Sequence, residues 1–239
     1  MNSEKVRNIR GRIAYLRHGG QTAGREFFSV SVFPDGTRTL RAECHFDIED
    51  LVRDVIFTLD RRWQPIDAYL RVAQSRRFLG SGWYRFDDGG TTCEALDSHQ
   101  QHVTHVKNAV RRPPSFGSHP IINDGIWPAM FDLSRADSMQ RFDGCITYSK
   151  EQIGKESIGI DTFDLEITYH GMQTITVAAG SFDCRHFEAL IVGLAAPFKL
   201  WTWSDDYIVV KETWAELPGH SYELAELQFP IPDESSKTT

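Results

Sequence analysis

The sequence predicts an all-β fold: an antiparallel, closed or nearly closed β-barrel with one or two short helices and a long capping loop. Three observations predict it. Apolar and polar residues alternate with period two in run after run, the signature of strands that bury one face. Gly, Pro, Asp and Asn clusters punctuate those runs at the intervals expected of turns. Helical periodicity is weak throughout. About a dozen amphipathic strands must bury their apolar faces together, and closing the sheet also removes exposed edges.

Residues 9–17 and 23–33 read as the first two strands, and Pro34-Asp35-Gly36 as the turn that follows. In Leu40–Phe46, one face carries Leu40, Ala42, Cys44 and Phe46, and the other Arg41, Glu43 and His45. Leu51–Leu59 places Leu51, Val55, Phe57 and Leu59 on one side, interrupted there by Arg53. Ile66, Ala68, Leu70 and Val72 alternate against Asp67, Tyr69 and Arg71. Strands at 76–87, 90–96 and 101–107 follow, with Asp87-Asp88-Gly89-Gly90 as a turn. Residues 111–131 hold four prolines, two glycines and several large apolar groups, which predicts an ordered irregular segment. With the residues up to 142 it reads as a cap over one mouth of the barrel. The best helix candidate is Leu133–Phe142, opened by Asp132 or Ser134, and a short turn is expected around Ile122–Met130. Phe163–Tyr169, 172–179, 183–192, 206–215 and 220–229 complete the wall, with turns at His170-Gly171 and Pro218-Gly219. One domain over 1–232 and a disordered tail over 233–239 are expected.

Composition narrows the function classes. The 239 residues carry 33 acidic against 26 basic side chains, a formal net charge of −7. That balance argues against a nucleic-acid or anionic-membrane surface. Fifteen Phe, seven Tyr and six Trp suit a core and also a pocket for flat or greasy ligands. No window of about 18 apolar residues predicts a membrane helix, and Met1–Arg7 lacks the apolar segment of a signal peptide. Cys44, Cys93, Cys145 and Cys184 are widely spaced with no C-x-x-C pair, as in buried, reduced thiols. The expected compartment is the cytoplasm.

Several motifs have plain structural explanations. Leu16-Arg17-His18-Gly19-Gly20-Gln21-Thr22 resembles the Arg-His-Gly signature of histidine phosphatases, but it has an extra glycine and lacks that fold's strand–helix alternation, so a polar hairpin turn is expected. His99, His102 and His105 lack a carboxylate-rich partner for a metal, and none is expected. A general acid or base from that group is the better reading, with His102, His105 and Asp124 as candidate catalytic residues. No G-x-S-x-G elbow or nucleotide glycine motif is present; Gly80 and Gly82 mark a bend or room for a ligand. A polar group on an apolar face is informative because burying it unpaired is expensive. Arg53 is therefore a candidate ligand contact or an internal pair, and Trp83, Tyr84, His119, Trp127, Trp201 and Trp203 are further pocket candidates.

Ala178-Ala-Gly-Ser-Phe-Asp-Cys-Arg-His-Phe-Glu188, Leu200-Trp-Thr-Trp-Ser-Asp-Asp-Tyr-Ile-Val-Val-Lys-Glu212 and Tyr222-Glu-Leu-Ala-Glu-Leu227 form a recognisable series. It is similar to a bacterial family of uncharacterised lipocalin-like barrels, over about the last 60 residues. The resemblance implies a sheet wrapped around a hydrophobic cavity and transfers no catalytic residue. The expected function is therefore binding of a small hydrophobic molecule, aromatic or isoprenoid-like, with or without a cofactor-independent lyase, isomerase or hydratase step. The alternatives are a carrier without chemistry and an oligomeric scaffold. No cofactor, nucleic acid or membrane partner is expected, and a homodimer is the assembly considered.

Overall fold

The computed structural model describes residues 5–151, 154–155 and 158–229; the expected tail over 233–239 lies outside them. Among the described residues fifteen strands form one sheet. The first eight are β1 (Arg7–Arg17), β2 (Gln21–Val32), β3 (Arg38–Phe46), β4 (Leu51–Leu59), β5 (Pro65–Gln74), β6 (Arg77–Asp87), β7 (Gly90–Leu96) and β8 (His102–Asn108). After a two-residue β9 (Phe116–Gly117) come the short helices α1 (Ile121–Asp124) and α2 (Ile126–Met130). The sheet resumes with β10 (Gln140–Thr147), β11 (Asp161–Val177), β12 (Gly180–Ile191), β13 (Phe198–Trp203), β14 (Ile208–Trp214) and β15 (Ser221–Gln228).

The spatial order is β8-β7-β6-β5-β4-β3-β2-β1-β15-β14-β13-β12-β11-β10-β9, so β1 and β15 pair in the middle and two halves spread outward. Neighbours are antiparallel except for the short β9–β10 pair. Among the described residues no backbone pairing joins β8 to β9, so hydrogen bonds do not close the sheet. It is a curled sheet, with buried contacts reaching across its concave side.

Period-two alternation is realised directly in β4, where Leu51, Arg53, Val55, Phe57 and Leu59 are all buried. β11 joins two expected strands: the predicted turn at His170-Gly171 is a bulge within it, between Tyr169 and Met172. Gly171 takes φ 92 there, a backbone that side chains resist. The expected helix over Leu133–Phe142 is corrected to a single 3-10 turn, Leu133–Arg135, followed by β10. Asp132 does cap that turn, accepting from the Ser134 N–H, but the chain returns to the sheet at Gln140.

The largest correction concerns 111–131. It is not a cap on a mouth but a plug inside the curl. Phe116 is fully buried among Phe57, Tyr84 and Phe86, with ring centroids 5.7, 4.7 and 5.1 Å away. Asn123, also inaccessible, donates from Nδ2 to the Phe116 carbonyl at 2.9 Å. The segment is apolar because both sides face protein, so irregular backbone is tolerated where side chains satisfy it. Gly80 and Gly82 serve the same packing: a Cβ on either would strike Ile158, at 2.8 and 2.6 Å. They make room for the chain's own interior, not for a ligand.

Candidate functional site

The plug leaves a cavity of about 630 Å³ beside it. Its wall comes from β1–β4, the plug and β10–β15, and β5–β8 contribute nothing to it. Trp127, Phe163, Phe198, Ile191, Leu194 and Trp214 give it apolar lining. Asp124, Glu212, Arg53, His119 and Tyr222 bring polar groups to the same wall.

Local structure explains how the polar groups meet. The first N–H groups of a helix lack intrahelical acceptors. Those of Ile121 and Ile122 donate to the Glu26 carboxylate of β2, at 2.8 and 3.0 Å. The Tyr15 hydroxyl donates to the same carboxylate at 2.8 Å, and the Cys44 thiol lies at 3.7 Å. Glu26 thus ties the plug to the wall and fixes α1. Gly125 follows at once, where a Cβ would collide with the Tyr207 carbonyl and press on Val209, so only glycine lets the plug lie this close to β14. Asp124, at the end of α1, is thereby laid against Glu212 of β14.

Asp124 is 8% exposed and Glu212 1%, and the two carboxyl groups lie close enough to act on each other. Burial first, and then neighbouring negative charge, push both well above the ordinary carboxyl range; Glu26 adds to the repulsion on each. Arg53 acts the other way, favouring the Asp124 anion. Glu212 Oε2 and Trp127 Nε1 are buried without a protein hydrogen-bond partner among the described residues.

Arg53 is fully buried, as its place on the apolar face of β4 requires. Its Nε donates to the Tyr148 hydroxyl at 2.9 Å, and that hydroxyl donates to the Gly154 carbonyl at 2.6 Å. The guanidinium also lies 5.3 Å from the Phe46 ring centre. His119 sits at φ 70, with Nε2 3.1 Å from the Ser149 carbonyl and its ring 5.0 Å from that of Tyr148. A non-glycine residue in that conformation is held by its surroundings.

Asp124, Arg53, His119 and Trp127 of the expected site are therefore brought together. The others are not. His102 and His105 stand on edge strand β8, away from the cavity, and His102 Nε2 pairs with Glu94 at 2.7 Å. They cannot work with Asp124 in this arrangement. Trp83 is 48% exposed on the outer face. Tyr84 is buried in the core, donating to the Gly159 carbonyl at 2.7 Å rather than facing the cavity. Trp201 stacks on His186 at 4.6 Å and donates to Gln173, and Trp203 packs against Phe182. His18–Gly20 forms the turn between β1 and β2, as a hairpin reading of the Arg-His-Gly segment expects. Among the described residues no group of three His, Cys, Asp or Glu side chains is arranged to hold a metal. The four cysteines are free and buried. No helix among them is long and apolar enough to cross a membrane.

Glu26 and Glu212 were missed by sequence reasoning, although the signal that flags Arg53 applies to both. Glu26 shares strand parity with Phe28 and Val30, and Glu212 with Ile208 and Val210, so each is an acid on an apolar face.

The proton held by the pair has a consequence for stability. Carboxyl groups of an unfolded chain titrate near about 4, so above that pH the folded state holds a proton that the unfolded state has released. Unfolding free energy therefore falls as pH rises through the window between the unfolded and the raised folded value. The melting temperature should decline as pH rises above the unfolded-chain value of about 4, and Glu212→Gln should flatten that slope and stabilise the protein at the alkaline end. A Glu212→Gln profile as steep as the parent's would show that the pair holds no extra proton.

No protein-family model and no curated protein matches the chain. Solved structures do resemble it. A β-barrel-like protein of a domain of unknown function, DUF1849, from Brucella abortus superposes with a TM-score of 0.57 at 11% identity, covering 95% of this chain and 98% of that one. A DUF1089 family protein from Pseudomonas aeruginosa gives a TM-score of 0.46 at 11% identity, over 80% and 90% of the two chains. The first likeness shows the class of protein: a β-barrel-like fold shared with a domain of unknown function.

Proposed function

We propose that the protein binds a small, mostly hydrophobic molecule, aromatic or isoprenoid-like, inside a lipocalin-like curl of its sheet. The observation that carries this reading is the cavity of about 630 Å³ walled by Trp127, Phe163, Phe198 and Trp214. Its size is that of a small-molecule site, and its mix of apolar wall and a few polar groups is the usual composition of one. Trp127 and Glu212 belong to that wall, and their Nε1 and Oε2 atoms are buried with no protein hydrogen-bond partner among the described residues. An occupant with matching polar atoms fits better than a plain hydrocarbon, because buried polar groups favour being paired.

The test is titration with 2-naphthylmethanol, followed by tryptophan fluorescence, beside native mass spectrometry of the freshly purified protein for a co-purifying molecule. Saturable binding is expected, with Trp127→Ala weakening it about tenfold or more, the scale of losing one buried aromatic contact. No binding and no co-purifying molecule, or binding indifferent to Trp127→Ala, would remove the reading. A second reading, cofactor-independent proton transfer, is favoured by the Asp124–Glu212 pair, since one carboxyl can give a proton while the other takes one. Deuterium wash-in from heavy water at the α-carbon of bound 2-acetylnaphthalene separates a catalyst from a carrier, which would give none.

A further inference from the structure

The ligand's charge is open on the reading above, and the charges around the cavity decide it. Glu26, Asp124 and Glu212 come from three different elements, yet all are buried within one neighbourhood. Glu26 is committed, since its carboxylate receives the Tyr15 hydroxyl and the N–H groups of Ile121 and Ile122. Arg53 is the buried cation of the same neighbourhood, and it acts on Asp124. Glu26, Asp124 and Glu212 set three carboxyl groups against the one buried guanidinium of Arg53. Arg17 is engaged by Glu49 at 2.5 Å and Lys150 by Asp161 at 3.4 Å, so the other Arg and Lys side chains on the wall already have acids of their own. Carboxyl groups thus outnumber those cations, and buried charge is costly unless paired, so the neighbourhood favours a cation.

Two independent features show how a cation would be received. Glu212 is among the residues that line the cavity, and its Oε2 is buried with no protein partner among the described residues. Tyr222, on the same wall, senses both Glu212 and Asp124, and its ring packs edge-on to that of Tyr15 at 5.1 Å. Tyr222, Trp214 and Trp127 thus offer aromatic surface near the carboxyls, and aromatic faces attract ammonium groups.

We propose that the cavity is selective for an amphiphilic amine, whose apolar body lies against Trp127, Phe163 and Phe198 and whose ammonium group is held by Asp124 and Glu212. Binding then displaces a proton held by the pair: the ammonium replaces it as counter-charge, and the proton passes from the carboxyl pair to solvent buffer. No other bond is made or broken. This proposal rests on the binding reading above and deepens it by naming the ligand's polar group.

The test compares 2-naphthylmethylamine, 2-naphthylmethanol and 2-naphthoate by isothermal titration calorimetry near about pH 7, in two buffers of different ionisation enthalpy. The amine should bind about tenfold or more tighter than the alcohol, and the naphthoate most weakly, as a charge-assisted bond replaces a neutral one. The two buffers should report proton release with the amine and none with the alcohol. Glu212→Gln should reduce amine affinity about tenfold or more and leave alcohol affinity within about threefold, with Asp124→Asn as the independent second variant. Equal binding of amine and alcohol, a preference for naphthoate, or amine affinity unchanged in both variants would overturn the proposal. Failure of all three probes to bind would instead remove the cavity reading on which it rests.

Discussion

Glu26→Ala should destabilise the protein by about 3–5 kcal/mol, because three buried donors lose their acceptor at once and each unsatisfied group costs about 1–3 kcal/mol. The loss is less than the largest simple sum, since a desolvated carboxyl held above its ordinary value is removed as well. For a chain of this size that corresponds to a fall in melting temperature of roughly 10 °C. The donors are the Tyr15 hydroxyl and the N–H groups of Ile121 and Ile122. Loss of the carboxylate also frees α1, and with it Asp124, so ligand affinity should fall together with stability. Glu26→Gln keeps one acceptor oxygen and should cost roughly half as much. Differential scanning calorimetry of both variants checks this; an alanine variant melting within a degree or two of the parent would show that the plug is not anchored there.

Arg53→Ala is expected to be comparable in size, about 3–5 kcal/mol, the range for removing one member of a buried charged network. Two losses combine. Arg53 heads the fully buried side chains by volume, so its removal leaves a large void. It also withdraws the positive charge that favours the Asp124 anion, leaving Glu26, Asp124 and Glu212 in mutual repulsion. Arg53→Met refills most of the volume without the charge and should recover part of the stability, more at acid than at alkaline pH, because the raised values favour the pair's protonated form as pH falls. Urea denaturation at acid and at alkaline pH separates volume from charge. Equal losses for Ala and Met under both conditions would show that neither term operates.

Arg53 also shows how much of this molecule was legible in its sequence. Its strand follows strict parity, so the apolar face and the intruder on it could both be read from Leu51 to Leu59. β1 to β8 were readable for the same reason. β10 was not: Cys145, Ile146, Thr147 and Tyr148 are all buried, because the plug covers the face that would otherwise be wet. Without alternation, the capping signal at Asp132 made the segment look helical. β13 hid in the opposite way, since its outward positions hold Trp201 and Trp203 while its inward positions hold Leu200 and Thr202. The candidate site divided likewise. Asp124 drew notice only because its segment was irregular. His102 and His105 drew notice as a cluster in sequence, but clustering along an edge strand does not bring side chains to an interior cavity that other strands enclose. The pairing of Asp124 with Glu212 depends on how the plug folds back onto β14, a contact across nearly 90 positions that no local pattern encodes.

The seam between β1 and β15 imposes an order of events. Arg10 lies opposite Gln228 and Leu16 opposite Ser221, so the two strands at the centre of the sheet are far apart along the chain. A chain emerging from the ribosome can complete the hairpins β1 through β8 while the inner edge of β1 has no neighbour at all. Cys44, Arg53 and Glu26 then wait on a half-wall with neither plug nor opposite face to cover them. Such long-range closure is slow, and an unpaired strand edge invites association with other chains in the meantime. The cavity therefore exists only after the last strand has docked, and any nascent or truncated form lacking β15 should be unable to hold a ligand and prone to aggregate through β1.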